Sequence, residues 1–280
     1  MIAIRRFLET IRALLTNPRA LAVFAVLYAV LLATLFGFIR IREATVWQVV
    51  LTMLFLALIP IEFFVLQAGI LHHARANKLD WAQLIRDAIK LAVVTIPIIL
   101  LGYGLFYLLN KWQVRFPAPT VASLPTTPGP PKPPPFHLPT VLFATLRFLL
   151  FWLVLPLATI HLWIEVTAHD LRTTLSGGAK PVLKRIGNVF ARALAFDSVL
   201  IYALGSIVFV LLPYAILFVR IPVKGTKTDF AVFIARLLLV FIFTLLGWIV
   251  TVSALVRTVA ETPVAVPVST ISDTPVEAPA

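Results

Sequence analysis

The sequence predicts an all-α, polytopic integral membrane protein with six transmembrane helices, and three observations carry that expectation. Sixty per cent of the 280 residues are hydrophobic and only 13% are charged, about half the charge of a soluble domain. Too few polar side chains remain to cover a water-facing surface, which excludes a soluble globular enzyme. The apolar residues also fall in long runs, and a helix needs about 20 of them to cross the hydrocarbon core of a bilayer. Finally, the runs do not alternate polar with apolar side chains, which excludes a membrane-spanning barrel.

The six runs cover residues 20–39, 45–71, 91–109, 142–164, 198–219 and 235–256. The first follows a basic N-terminal stretch containing Arg5, Arg6, Arg12 and Arg19, as a secretory signal would. It is longer than the usual apolar core of a signal, and no small-x-small cleavage site closes it, so it is expected to stay as the first span. The second run is interrupted only by Pro60 and Glu62. An even number of spans puts both termini on one side. That side holds 14 of the 24 Lys and Arg residues and the opposite side holds 10. The bias places both termini in the cytoplasm and the chain in the plasma membrane as a multi-pass protein.

A net charge of +12 would suggest nucleic acid in a soluble chain. Here the basic residues lie in short stretches between apolar runs, where they meet anionic headgroups instead. Anionic lipid is therefore the expected partner, and nucleic acid is not. The chain has no cysteine, so disulfides, thiolate ligands and a cysteine nucleophile are excluded.

Three segments read as basic amphipathic helices on the side of the termini. In the first, Ile4, Phe7, Leu8, Ile11, Leu14 and Leu15 oppose Arg5, Arg6, Glu9 and Arg12. In the second, Trp81, Leu84, Ile85, Ala88 and Ile89 oppose Gln83, Arg86, Asp87 and Lys90, with Asp80 and Gln83 forming a capping-box start. In the third, Val182, Ile186, Val189, Phe190 and Ala193 oppose Lys184, Arg185, Asn188 and Arg192. Such helices lie in the headgroup plane, with basic side chains toward phosphate. They serve lipid or partner sensing, or simply join two spans.

Two segments are expected to stay outside the packed bundle. Residues 110–140 form an external loop with ten prolines between 117 and 139, a composition that favours extended polyproline II. The Pro/Thr/Val/Ala-rich tail, 261–280, reads as disordered. There is also a loose internal echo. Aligning Pro60 with Pro156 places His73 over His169, although Glu62 then falls on Ala158.

Candidate chemistry is sparse. Ala25, Ala29, Ala33 and Gly37 recur every four residues on the first span, a spacing that lets two helix backbones approach closely. They serve either packing within the bundle or a seam with a protein partner or a second copy. Glu62 is the only acid well inside a span, and a carboxyl there must find a hydrogen bond or a polar cavity. Pro60 frees the carbonyl of Leu56 and favours a kink. An acid beside a kink suits ion or proton passage, and it equally suits a tie between helices. His161, Glu165 and His169 share one face of the fourth span, with His72 and His73 at equivalent depth on the second. Imidazole and carboxylate suit zinc or iron. His161 and His169 stand about 12 Å apart along a helix, so one ion would take Glu165 with one of them and complete itself from His72 or His73.

No potassium-filter, P-loop or nucleophile-elbow pattern is present. The expected function is a non-enzymatic structural, accessory or lipid-organising component of the plasma membrane, with no cofactor. The alternatives are a small transporter or permease using Glu62, and a membrane-embedded metalloenzyme at the inner interface.

Overall fold

The computed structural model describes residues 2–42, 45–76, 80–117, 137–169, 179–219 and 225–261. Among them the chain is 93% helical with no strand. The helices are α1 (Ile2–Leu15), α2 (Pro18–Arg40), α3 (Val46–Ala76), α4 (Trp81–Gln113), α5 (Leu138–Ala168), α6 (Ala179–Ala193), α7 (Phe196–Phe218) and α8 (Thr226–Glu261). Six of them, α2 to α5 with α7 and α8, are long and apolar enough to cross a membrane, one for each apolar run. The expected six-span, all-α architecture is what the chain adopts. Most of the proline-rich segment and the tail beyond 261 lie outside the described residues.

The helices overrun the apolar stretches that betray them. α4 has 33 residues and α8 has 36, so each is about 50 Å long at 1.5 Å per residue, against a hydrocarbon core of about 30 Å. Their ends carry the polar residues that a span-only reading assigns to loops.

Proline shapes two spans and passes unmarked through two others. Pro156 and Pro213 each follow a π-helical stretch, Leu149–Val154 in α5 and Ile207–Leu211 in α7. There the N–H of Leu155 reaches back five residues to Leu150, and that of Leu212 to Ile207. A proline ring collides with the carbonyl four residues earlier, and the wider π turn moves that carbonyl aside. Pro60 and Pro97 stand inside uninterrupted α-helix.

The core is concentrated at the end of the bundle that carries both described termini. Buried side chains run through Leu66–Leu71 on α3, Leu84–Leu91 on α4, Leu157–Val166 on α5, Ile201–Tyr202 on α7 and Ile249–Val256 on α8. From Ile249 to Val256 every residue of α8 is buried, so this helix is enclosed all round at that level by α1, α3 and α7. Toward the other end apolar side chains such as Leu54, Ile99, Leu100 and Leu238 are exposed, as lipid-facing positions of a spanning helix are. Where α7 crosses α8 the backbones nearly touch. A Cβ placed on Gly205 would lie 2.8 Å from Cβ of Thr251, and one on Gly247 2.8 Å from the backbone nitrogen of Phe209.

The three amphipathic segments have different fates. α1 has three faces rather than two. Ala3, Phe7, Thr10 and Leu14 are buried against the bundle, Ile4, Leu8 and Leu15 are exposed beside them, and Arg5, Glu9 and Arg12 lie on the remaining side. A helix lying at the membrane surface against a bundle meets protein, lipid and water, and needs such a third face. α6 follows the same plan: Val189 and Ala193 are buried, while Leu183 and Lys184 are exposed. The second segment is not a separate interfacial helix. It is the opening of α4, continuous with the third span. Asp80 caps it through Ala82 N at 3.0 Å. The continuous register turns Leu84, Asp87, Ala88 and Leu91 inward and leaves Trp81, Ile85 and Ile89 exposed. Asp87, expected on a solvated face, is buried beside Lys90 at 3.2 Å.

Candidate functional site

A cavity of about 730 Å³ lies among α2, α3, α4, α5 and α8. Its walls are mainly apolar, with Leu and Ile side chains beside the aromatic rings of Tyr28, Phe63, Tyr103, Phe151, Trp163 and Trp248. No Asp, Glu, Lys, Arg or His lines it among the described residues. Its polar groups are largely spent on one another. The Trp248 indole donates to Gln67 Oε1 at 2.8 Å, and the Trp163 indole donates to Thr95 Oγ1 at 2.8 Å. Thr95 in turn donates to the Leu91 carbonyl at 2.6 Å, and Thr159 to that of Leu155 at 2.7 Å. What remains is a hydrocarbon-like slot. Its wall on α4 runs from Thr95 to Phe106, about 16 Å at helical rise, or roughly the acyl depth of one leaflet. Ile99 and Tyr103 on its rim are 62% and 71% exposed, so the slot is open along the outer side of α4.

Neither Glu62 nor Pro60 lines this cavity. Glu62 accepts a hydrogen bond from Thr34 of α2 at 3.0 Å through Oε1, and its Oε2 is buried with no partner among the described residues. The acid thus turns toward a neighbouring helix, in a place that ties α2 to α3.

The histidine–carboxylate ladder is dispersed. His161 is buried, with Nδ1 2.9 Å from the Leu157 carbonyl and Nε2 3.2 Å from Ser198 Oγ of α7. Both ring nitrogens are thereby occupied within the protein. Glu165 pairs with Arg192 of α6 at 3.4 Å and stands 3.5 Å from His169 at the exposed end of α5. His73 turns away from them, its ring edge-on to Phe24 at 5.6 Å between centroids. His72 is half-buried. Among the described residues no three of His, Asp and Glu come together as a metal-holding group. The metal set expected from Glu165, His169, His161, His72 and His73 is therefore not assembled, because helix rotation sends its members to different neighbours.

The small-residue row on α2 is divided as well. Ala25 and Gly37 are half-buried, with Gly37 against the Phe55 ring, whereas Ala29 and Ala33 are exposed. The packing face of α2 is instead Ala20, Phe24 and Thr34. Among the cations expected to meet headgroups, Arg12, Arg86, Lys184 and Arg185 are exposed, and Arg6 is half-buried. Arg5 is exposed and pairs with Glu9 at 2.8 Å, while Lys90 and Arg192 are held by carboxylates.

Two arginines that span-counting treats as boundary markers prove structural. Arg147, inside the fourth apolar run, donates to the side-chain oxygens of Asn110 and of Gln113, the latter at 2.5 Å, and lies over the Phe106 ring at 5.8 Å. Arg75 donates to the Ile164 carbonyl and so joins α3 to α5. A basic residue within an otherwise apolar run is the one sequence signal that marks Arg147. Comparison with protein families, curated proteins and solved structures yields no match.

Proposed function

We propose that this protein is a non-enzymatic, lipid-organising component of the plasma membrane that holds an apolar chain of a lipid in the slot between its helices. The observation that carries the reading is the charge-free, apolar cavity of about 730 Å³, within the roughly 300–1,000 Å³ range of small-molecule sites. Its indoles are already paired, so a polar or ionic ligand would lose its hydration for nothing, whereas an acyl or isoprenoid chain loses none. The exposed basic residues of α1 and α6 would meet the anionic headgroups. Transport through Glu62 has less support, since that carboxyl bonds Thr34 away from the cavity.

Protein extracted in a mild detergent is expected to retain about one lipid per chain by native mass spectrometry. Gly102 lines the slot, and a Cβ there would lie 3.4 Å from Leu155 Cδ1, an ordinary contact. Gly102→Phe should therefore fill the slot and release the lipid while leaving the unfolding midpoint within a few degrees. Glu62→Gln should leave the retained lipid unchanged. Equal lipid on Gly102→Phe and the parent chain would remove the proposal.

The same reading places both termini in the cytoplasm, supported by the excess of basic residues on their side. In this cysteine-free chain, Thr127→Cys is expected to react with a membrane-impermeant maleimide in intact cells, and Ser269→Cys only after lysis. The reverse pattern would invert the orientation.

A further inference from the structure

A second cavity, of about 410 Å³, lies at the end of the bundle where α1, the start of α2, the end of α3 and the end of α8 converge. Its chemistry is the opposite of the first. The polar side chains around it include those of Thr10, Asn17, His73, Arg75, Ser253 and Arg257, and no Asp or Glu lines it among the described residues. Two guanidinium groups, beside an imidazole, thus face one half-open space with no carboxylate in its lining, although Asp87 and Glu165 act on Arg75 from outside it. Of these groups Arg257 meets no carboxylate among the described residues, and a half-buried charge without a partner is costly unless an anion completes it.

Three details point the same way. Arg257 is half-buried and makes no hydrogen bond or ion pair among the described residues. Ser253, one helical turn before it, is 7% exposed, and its hydroxyl also has no partner among them. Asn17 caps α2 through the N–H of Ala20 at 3.3 Å, which sets the positive end of that helix dipole at the cavity wall. Arg75 spends one donor on the Ile164 carbonyl and keeps the other edge of its fork. The donors outnumber what a carboxylate could accept, and forked guanidinium groups match a tetrahedral oxyanion.

We propose that His73, Arg75, Ser253 and Arg257 form a binding site for a phosphate group, either the headgroup phosphate of a lipid or a free phosphate. The site stands independently of what fills the apolar slot, with which it shares no lining residue.

The test uses the full chain in maltoside micelles, in phosphate- and sulfate-free buffer of constant ionic strength. One portion is titrated with inorganic phosphate and another with phosphatidic acid, and the unfolding midpoint is read. The midpoint should rise saturably in at least one arm. A response to inorganic phosphate assigns a free-phosphate site, and a response to the lipid alone assigns a headgroup site. Arg257→Gln should need about ten times more ligand, as loss of one charge-assisted hydrogen bond implies. In the absence of anion it should be no less stable than the parent, because it removes an unpaired charge. Arg115→Gln, the same charge change at an exposed residue just beyond α4 at the opposite end of the bundle, should titrate like the parent. No saturable rise in either arm, or an Arg257→Gln titration matching that of the parent, would overturn the proposal.

Discussion

Replacing Gly205 with alanine is expected to destabilise the bundle more than the same change at Gly37, Gly69 or Gly102. The added Cβ would stand 2.8 Å from both Cβ and Cγ2 of Thr251, with Oγ1 nearer still. Thr251 has no room to yield, for it is fully buried and its hydroxyl is held by the Gly247 carbonyl at 2.6 Å. The helices must separate, and on the far side of the crossing Gly247 is already against the backbone of Phe209. Overpacking costs about 1–3 kcal/mol, and a contact this close to backbone belongs at the upper end of that range. The geometry also dictates which second change rescues. Thr251→Ser keeps the nearest atom and should not help. Thr251→Gly removes the whole side chain and should recover most of the loss, less the helix-propensity cost of about 1 kcal/mol. At Gly104 a Cβ would meet nothing within 4 Å, so Gly104→Ala is the matched neutral control. Unfolding midpoints in mixed micelles decide the matter. A Gly205→Ala protein as stable as Gly104→Ala would mean that α7 and α8 do not cross at this point.

That crossing also marks the limit of what the sequence reveals. The number of spans is legible because hydrophobic length is a property of each helix alone. Contact between helices is not such a property. The four-residue row Ala25, Ala29, Ala33 and Gly37 has the more regular pattern, yet its middle is exposed. The close approach uses Gly247 and Thr251 on α8 with Gly205 on α7, two short signals on different helices. Lipid-facing and protein-facing positions are equally apolar, so a small residue reads the same on either. The continuity of α4 is hidden for a related reason. Its first ten residues have the polar content of a surface helix, and only the unbroken register through Leu91 and Thr95 shows that Asp87 turns inward. The rungs of the ladder on α5 follow from helical spacing, but what each rung meets depends on α6 and α7, whose rotation no spacing reveals. The apolar cavity is invisible altogether, since an unfilled space among aromatic side chains leaves no mark on any one helix.

Arg147 is where two electrostatic effects compete, and depth decides between them. A basic residue at the centre of a spanning helix costs about 2.5–3.5 kcal/mol, so removing one there would stabilise the protein. Arg147 stands nine residues into α5, about 14 Å from its start. Its guanidinium reaches Asn110 and Gln113, which lie in the last turn of α4. The charge is therefore near the edge of the hydrocarbon, where its desolvation is small, and the hydrogen bonds should prevail. Arg147→Met keeps the length of the side chain and removes every donor. It is expected to lower stability by about 2 kcal/mol, between the values for charge-assisted bonds in water and for polar contacts in membranes. The cost should shrink in the combination with Asn110→Leu, which deletes one of the abandoned acceptors. Arg147→Lys should fall between the two, because a single ammonium cannot span both amides and also cover the Phe106 ring. An unfolding midpoint for Arg147→Met at or above that of the parent would show that desolvation wins and that the knot between α4 and α5 adds no stability.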